Sequence, residues 1–211
     1  MKMLLLLLTT FACATGAVQA QGTFVYDQES SNDETYPNGG PTIQFYGSVG
    51  QSFTPSLSTV GFFRVKVDDT FPRNALGATL VGTLRSGAIN GPIIGTTMPV
   101  VLSNGFAGSV DFFFASAVPV TPSTTYYFQT LVQSGDYWGI TTRSDSRGDV
   151  NYPGGIFFGG LQPFTGNDLW FREGIVVPEP SSVWLFCLGS GVAGWFLRQK
   201  MRCLPSPEPL P

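Results

Sequence analysis

Short strand-like segments, separated by residues that favour turns, fill the chain between residues 21 and 176. Gly and Pro supply 26 and 16 of the 211 residues, and Asn and Asp join them at the breaks between segments. From Phe63 to Val67 apolar side chains alternate with Arg64 and Lys66, which are expected to point to water. No part of this region combines a helical period with capping residues. The pattern therefore predicts an all-β body, an antiparallel β-sandwich or jelly roll.

Nine strands are predicted from these segments, and the residues between them are assigned to turns and loops. The predicted strands are Thr23 to Tyr26, Thr42 to Phe53, Val60 to Val67, Ala78 to Leu84, Ile93 to Val101, Gly108 to Phe114, Thr125 to Val132, Tyr137 to Thr142 and Asp168 to Ile175. Short strands without helices between them fit two packed antiparallel sheets. The prediction is one domain over residues 21–176, which is long enough to enclose a core of its own.

The N-terminal segment has the features of a signal peptide. Lys2 supplies a positive charge and an apolar stretch follows it. Val18 and Ala20 are suitable residues at the −3 and −1 positions of a cleavage site. We therefore predict a helical signal peptide over residues 1–20, removed by cleavage after Ala20, and an exported body.

An uncharged segment near the C-terminus predicts a transmembrane helix over residues 183–197. Its fifteen residues span about 22 Å as a helix, which is short for a bilayer core of about 30 Å. Arg198, Lys200 and Arg202 follow directly. Because basic flanks stay in the cytoplasm, the body is expected on the outer side of the membrane.

Pro178, Glu179 and Pro180 stand directly before this segment, and the basic cluster stands after it. The order of Pro-Glu-Pro, short apolar helix and basic cluster resembles the PEP-CTERM sorting signal of Gram-negative bacteria, over residues 177–202. In that family an exosortase, a membrane transpeptidase, recognises the tail. The protein is then released or transferred to the cell surface or extracellular matrix. The resemblance implies that the three residues are the recognition motif and that the helix anchors the protein in the membrane before processing. Residues 203–211 form a short tail beyond the usual pattern.

The body is similar to the jelly-roll domains often found on PEP-CTERM proteins. Many such domains have no assigned activity, and some resemble carbohydrate-binding modules. The segments that carry the similarity are Gln51 to Phe53, Val60 to Val67, Thr121 to Tyr127, Tyr152 to Gly155 and Asp168 to Arg172.

Composition excludes several classes of function. The chain has no His, which removes Ser-His-Asp and Cys-His catalysis and His-based metal sites. Cys13, Cys187 and Cys203 all lie outside the body, so the body forms no disulfide or cysteine-based metal site. Residues 21–177 carry seven basic and twelve acidic residues, a net charge of −5. A mildly acidic body without basic clusters argues against nucleic-acid binding.

Aromatic residues in predicted loops are candidates for stacking on sugar rings, because their faces are rigid apolar platforms. The alternative for each is packing in the core or anchoring of a loop. The candidates are Tyr137, Trp138, Tyr152 and Trp170, with Tyr36 and Tyr46 in the early loops.

Acidic residues in the late loops are candidates for a structural calcium site, because Ca²⁺ prefers six to eight oxygen ligands. These residues are Asp136, Asp145, Asp149 and Asp168, near Asn167. The dense acidic spacing of a calcium loop is absent and Arg147 lies between two of the acids, so solvated turns remain the alternative. No other cofactor is expected.

We expect an exported, non-enzymatic surface or matrix protein that binds exopolysaccharide through a loop-borne aromatic site. Two alternatives stay open. The first is a structural matrix component without a ligand. The second is a glycan hydrolase, which needs two carboxyl groups about 5 to 9.5 Å apart. Glu29, Glu34 and Glu173 are the three glutamates of the body.

Overall fold

The computed structural model describes residues 22–144 and 152–178. Strands dominate this part of the chain, joined by one short 3-10 helix, Ile43–Tyr46. The strands are β1 (Thr23–Glu29), β2 (Val49–Phe53), β3 (Thr59–Asp69), β4 (Ala78–Ser86), β5 (Ile93–Thr96), β6 (Val100–Leu102), β7 (Ala107–Pro119), β8 (Tyr126–Gly135), β9 (Trp138–Ile140), β10 (Thr142–Ser144), β11 (Phe157–Gly159), β12 (Gln162–Phe164), β13 (Asn167–Leu169) and β14 (Phe171–Val177).

The strands form two sheets and a small ribbon. The first sheet has the order β1-β14-β3-β7, and β9 pairs with the last residues of β3. The second has the order β12-β11-β2-β8-β4-β5, with β6 also on β4. β10 and β13 form the ribbon. The pairings within β2 to β14 are antiparallel, which confirms the all-β prediction and is consistent with a jelly-roll-like sandwich.

Phenylalanine side chains from both sheets meet in the core. Phe63 of β3 stacks on Phe128 of β8, with ring centroids 4.6 Å apart and planes 24° apart. Phe53 of β2 meets Phe63 edge to face at 5.8 Å, and Phe171 of β14 lies 5.5 Å from Phe128. All four rings are at most 1% exposed. Because these contacts cross from one sheet to the other, they hold the sheets face to face.

The predicted alternation along β3 is present, but its outer face does not simply point to water. Phe63 and Val65 are buried in the core, as expected. Lys66 points to the other face and is nevertheless only 5% exposed, so the expectation that it is solvated is wrong. Its Nζ donates 2.9 Å to the carbonyl of Glu34 and also donates to the carbonyl of Tyr36. The segment after β1 covers this cation and satisfies it with backbone oxygens.

Arg172 on β14 is covered by the same segment. Its Nε donates 2.9 Å to the carbonyl of Ser31, and its guanidinium contacts a carboxylate oxygen of Glu34 at 2.6 Å. The guanidinium also lies 4.9 Å from the ring of Trp170 and 5.1 Å from that of Tyr26. Charge pairing and cation–π contact therefore offset the cost of burying this side chain.

Several strand boundaries differ from the predicted ones. The predicted strand Thr42 to Phe53 is interrupted by the 3-10 helix, and Gly47 turns the chain at a φ of 75° before β2 begins. The predicted strand Ile93 to Val101 is two strands, β5 and β6. β11 and β12 were not predicted, because each has three residues and Gly and Pro lie in or next to them.

The predicted signal peptide over residues 1–20, the transmembrane helix over residues 183–197 and the tail of residues 203–211 lie outside the described residues. Across residues 22–144 and 152–178, no helix is both long enough and apolar enough to cross a membrane.

Replacing Phe63 with Ala tests the role of the core stack. The variant leaves a cavity between the sheets, so its free energy of unfolding should fall by about 3–5 kcal/mol. Phe45→Ala is the control, because that ring is 80% exposed and its loss should change stability by less than about 0.5 kcal/mol. Urea unfolding followed by tryptophan fluorescence measures both. Equal effects of the two variants would contradict this account of the core.

Candidate functional site

An open groove lies where three segments meet: the 3-10 helix before β2, the loop after β3 and the turn before β9. We call it the aromatic groove. Its volume is about 460 Å³, within the range of ligand sites in proteins. None of its lining residues carries a charge. They are Pro41, Thr42, Gln44, Phe45, Tyr46, Thr70, Phe71 and Tyr137.

Three rings of the groove are unusually open to solvent. Phe45 is 80% exposed, Phe71 is 53% exposed and Tyr137 is 52% exposed. Phe71 and Tyr137 meet at a centroid distance of 6.0 Å with perpendicular planes, and Phe45 meets Tyr46 at 5.1 Å and 81°. Exposed apolar surface of this kind has a cost in water, and clusters of it commonly mark binding sites.

Hydrogen bonds hold the three segments of the groove together. The amide nitrogen of Gln44 donates to the carbonyl of Asp136, and its amide oxygen accepts from the backbone N–H of Trp138 at 3.1 Å. The backbone N–H of Thr70 donates 3.0 Å to the carbonyl of Tyr137. The 3-10 helix and the loop after β3 are thus both bonded to the turn that carries Tyr137.

The loop after β3 is braced by two carboxylates. Asp69 accepts from the backbone N–H of Phe71 and from that of Gly105, both at 2.8 Å. Asp136 accepts from the side-chain amide of Asn74. These bonds hold the backbone of the loop that carries Phe71.

The structure places the four predicted ligand-binding aromatics in different settings. Tyr137 lines the groove, and Tyr46, named beside them, lines it too. Trp138 and Trp170 are 0% exposed and Tyr152 is 7% exposed, so the four rings do not form one surface. Trp138 packs 6.4 Å from Phe106.

Trp170 and Tyr152 have defined interior partners. The indole N–H of Trp170 donates 3.0 Å to the carbonyl of Asp33, beneath the segment that covers Lys66. The hydroxyl of Tyr152 donates 2.9 Å to the side-chain carbonyl of Gln28 and accepts from the backbone N–H of Thr54 at 3.2 Å.

Phe45 and Phe71 were missed by the sequence analysis. Phe45 lay in a predicted strand and Phe71 in a predicted turn next to Pro72. An apolar ring inside a polar turn was the available signal for Phe71. No comparable signal marked Phe45.

The predicted calcium ligands are only partly described. Asp145 and Asp149 lie outside the described residues. Asp168 accepts 2.7 Å from the side-chain amide of Gln51 and 2.8 Å from the backbone N–H of Tyr152, whereas Asp136 is bonded to Asn74. In the part of the chain that the structure covers, no three acidic, His or Cys side chains stand close enough to hold a metal ion.

A buried carboxyl group lies between the sheets, away from the groove. Glu173 on β14 is 0% exposed and lies close to Asp27 of β1. Neither carboxyl oxygen of Glu173 accepts a hydrogen bond from any described residue. Burial, and to a lesser extent the charge of Asp27, raises the pKa of Glu173 to about 9. Glu173 is therefore a neutral acid at pH 7 and can donate its proton to Asp27.

Asp27 has the opposite behaviour. Burial alone would raise its pKa, but the hydroxyl of Ser56 and the backbone N–H groups of Leu57 and Ser56 hold the pKa below its usual value. The N–H of Ser56 donates to Asp27 at 2.7 Å and that of Leu57 at 3.0 Å. The pair thus consists of one carboxylate and one neutral acid.

Comparison with known protein families matches residues 176–202 to the PEP-CTERM protein-sorting motif. The chain carries a PEP-CTERM sorting motif. The predicted motif, placed over residues 177–202, is confirmed with a start one residue earlier. The presence of this sorting motif supports the prediction that the protein is exported, and that an exosortase processes it and sorts it to the surface. No curated protein matches the chain.

The sorting motif begins within the last strand of the body. Val176 and Val177 are the final residues of β14, and Pro178 is the last described residue before Glu179 and Pro180. The motif therefore overlaps the last two residues of β14. The match concerns this C-terminal segment, and the aromatic groove lies elsewhere in the chain.

Glu173→Gln tests the buried acid through pH. The pKa of Glu173 is about 9 in the folded state and 4.5 ordinarily, so between these values the unfolded chain releases a proton that the folded chain keeps. The wild type should therefore lose stability relative to the variant as pH rises from about 4.5 to about 9, by at most about tenfold in the folding equilibrium per pH unit. Urea unfolding across this range measures the difference. A difference in free energy of unfolding between the wild type and the variant that does not change with pH would exclude the proposed titration of Glu173.

Proposed function

We propose that the protein is a non-enzymatic component of the cell surface or extracellular matrix of a Gram-negative bacterium. An exosortase sorts it there, and its body binds neutral exopolysaccharide in the aromatic groove. The single observation that supports the binding role is the set of exposed rings of Phe45, Phe71 and Tyr137 around an uncharged groove.

The chemistry of the groove suits a neutral sugar polymer. The C–H faces of pyranose rings pack on aromatic faces, and three such faces are available here. Thr42, Gln44 and Thr70 add polar groups that can bond to sugar hydroxyls. No lining residue is charged. The binding of an uncharged polymer therefore removes water from no charged group of the groove or of the polymer.

Tyr137 lines the groove, as does Tyr46, which was named beside the four predicted ligand-binding residues. In this proposal Gln44 positions the turn that carries Tyr137, because it accepts a hydrogen bond from the backbone N–H of Trp138. Tyr152 and Trp170 belong to the scaffold of the body, where each has interior hydrogen-bond partners.

The hydrolase alternative receives less support. Asp27 and Glu173 lie close together, but Glu173 is 0% exposed, and Glu29 and Glu34 are both paired with Arg172. The groove itself is lined by no acid. A structural matrix component without a ligand differs from our proposal in its lack of glycan binding, so the binding experiment decides between them.

Affinity electrophoresis tests the binding role. We expect retardation of the full-length protein in detergent by at least one of three neutral polymers: hydroxyethyl cellulose, galactomannan or dextran. Alginate serves as the anionic comparison and should retard it less. Tyr137→Ala and Phe71→Ala should each weaken binding about tenfold or more, because each removes a stacking face.

Ile93→Ala is the control variant for this experiment. Ile93 is 51% exposed on β5 and does not line the groove, so its loss should leave retardation unchanged. If no polymer altered the migration of the protein, a structural matrix component without a ligand would be the better account. If all three variants lost binding equally, the groove would not be the binding site.

Mass spectrometry of the protein from producing cells tests sorting. We expect the mature C-terminus to lie upstream of Pro211, and we expect Glu179→Gln to retain the intact tail. Glu208→Gln is the matched control, because residues 207–209 repeat the Pro-Glu-Pro sequence on the other side of the basic cluster. An intact Pro211 in the wild type would count against exosortase processing.

A further inference from the structure

The direction of β14 relative to β3 decides where the chain leaves the body. The two strands are antiparallel, with Phe171 opposite Val65 and Gly174 opposite Phe62. β14 therefore runs toward the first residue of β3, Thr59. The sorting motif continues from that end of the strand. We call it the exit end of the body.

The aromatic groove lies at the other end of β3. β3 finishes at Asp69, and the next residues, Thr70 and Phe71, line the groove. Trp138 pairs with Asp69, which places the neighbouring Tyr137 at the same end. The ten residue steps from Thr59 to Asp69 span about 33 Å at about 3.3 Å per residue.

The start of β1 also lies at the exit end. The backbone N–H of Ser30 donates 3.0 Å to the carbonyl of Phe171, and Gly174 faces the carbonyl of Val25. β1 is thus antiparallel to β14, and its first residues lie beside the last residues of that strand. Both ends of the body leave it far from the groove.

The groove end is closed by a turn of the chain. Between β6 and β7, the side-chain amide of Asn104 donates 2.9 Å to the carbonyl of Pro72, and the N–H of Gly105 donates to Asp69. This turn braces the loop that carries Phe71.

We propose that the body is a rigid spacer that presents the aromatic groove to a neutral polysaccharide at the end opposite to the chain exit, about 30 Å from the end of the strand that leads into the sorting motif. This inference rests on the proposed function. It adds that the bound polymer lies at the end of the body opposite to the chain exit.

The physical basis is the stiffness of the shared strand. β14 is an inner strand, paired with β1 on one side and β3 on the other, so a load applied at its end is shared by two hydrogen-bonded neighbours. β3 runs from Thr59 to Asp69, with one irregularity in its pairing with β7 between Val60 and Phe62, and it connects the exit end to the groove. The separation between the chain exit and the groove is therefore set by strand length.

Site-specific immobilisation of the full-length protein in detergent tests the orientation. Cys13, Cys187 and Cys203 are replaced by Ser, and one new cysteine is introduced by Ser58→Cys or Ser103→Cys and biotinylated. Both serines are exposed; Ser58 precedes β3 at the exit end, and Ser103 lies in the turn at the groove end. Each protein is captured on streptavidin and exposed to the best-bound neutral polymer of the electrophoresis panel.

We expect the protein attached at residue 58 to bind the long polymer as the free protein does. The protein attached at residue 103 should bind it at least tenfold more weakly, because the support blocks the groove end. A hexasaccharide of the same polymer, small enough to reach the groove, should bind both to the same extent. This arm shows that neither label damages the site.

The outcomes separate this inference from the proposed function. If both attachments bind the long polymer equally, or if attachment at residue 58 is the one that blocks it, the spacer role is overturned and glycan binding stands. If the free protein binds neither polymer nor hexasaccharide, the proposed function fails, and the spacer role fails with it.

Discussion

The apolar contact between Phe63 and Phe128 holds the two sheets together, and the other features of the body are arranged around it. β3 contributes Phe63 and sits between β14 and β7, so the same strand anchors the core and the centre of the first sheet. Because strand side chains alternate between faces, every residue of β3 that enters the core sends its neighbour to the outer face. The core therefore requires the body to deal with Arg64 and Lys66 on the opposite side.

The body deals with these cations by covering them. Arg64 forms a two-point contact with Asp111 at 2.6 and 2.8 Å, while Lys66 donates to backbone carbonyls of the segment after β1. This arrangement ties the first strand of the body to the last, since Arg172 bonds to the same segment. Glu173 differs from these cations, because it is buried without a charged partner that stabilises its ionised form. It is a buried acid without a donor among the described residues, and it stays neutral because ionisation between the sheets would cost more than holding the proton.

The aromatic groove differs from the rest of the body in the exposure of its aromatic rings. Most of the described aromatic rings are buried or half-buried, yet Phe45, Phe71 and Tyr137 remain open to water on segments that are bonded to one another. Rigid exposed rings on bonded loops are costly for a purely structural body and useful for a binding one. These rings lie at the end of β3 opposite to the chain exit, and this geometry underlies the proposed binding role.

The fold class and the sorting motif followed from the sequence alone, because a period of two and the Pro-Glu-Pro, apolar, basic order are local chemistry along the chain. The aromatic site did not. Tyr137 and Trp138 are adjacent, yet one is 52% exposed and the other 0%. Their difference depends on which distant segments cover them, as does the meeting of Phe45 and Phe71 with Tyr137. Tertiary structure decided these outcomes, because exposure and proximity are set by strand register between residues far apart in the chain.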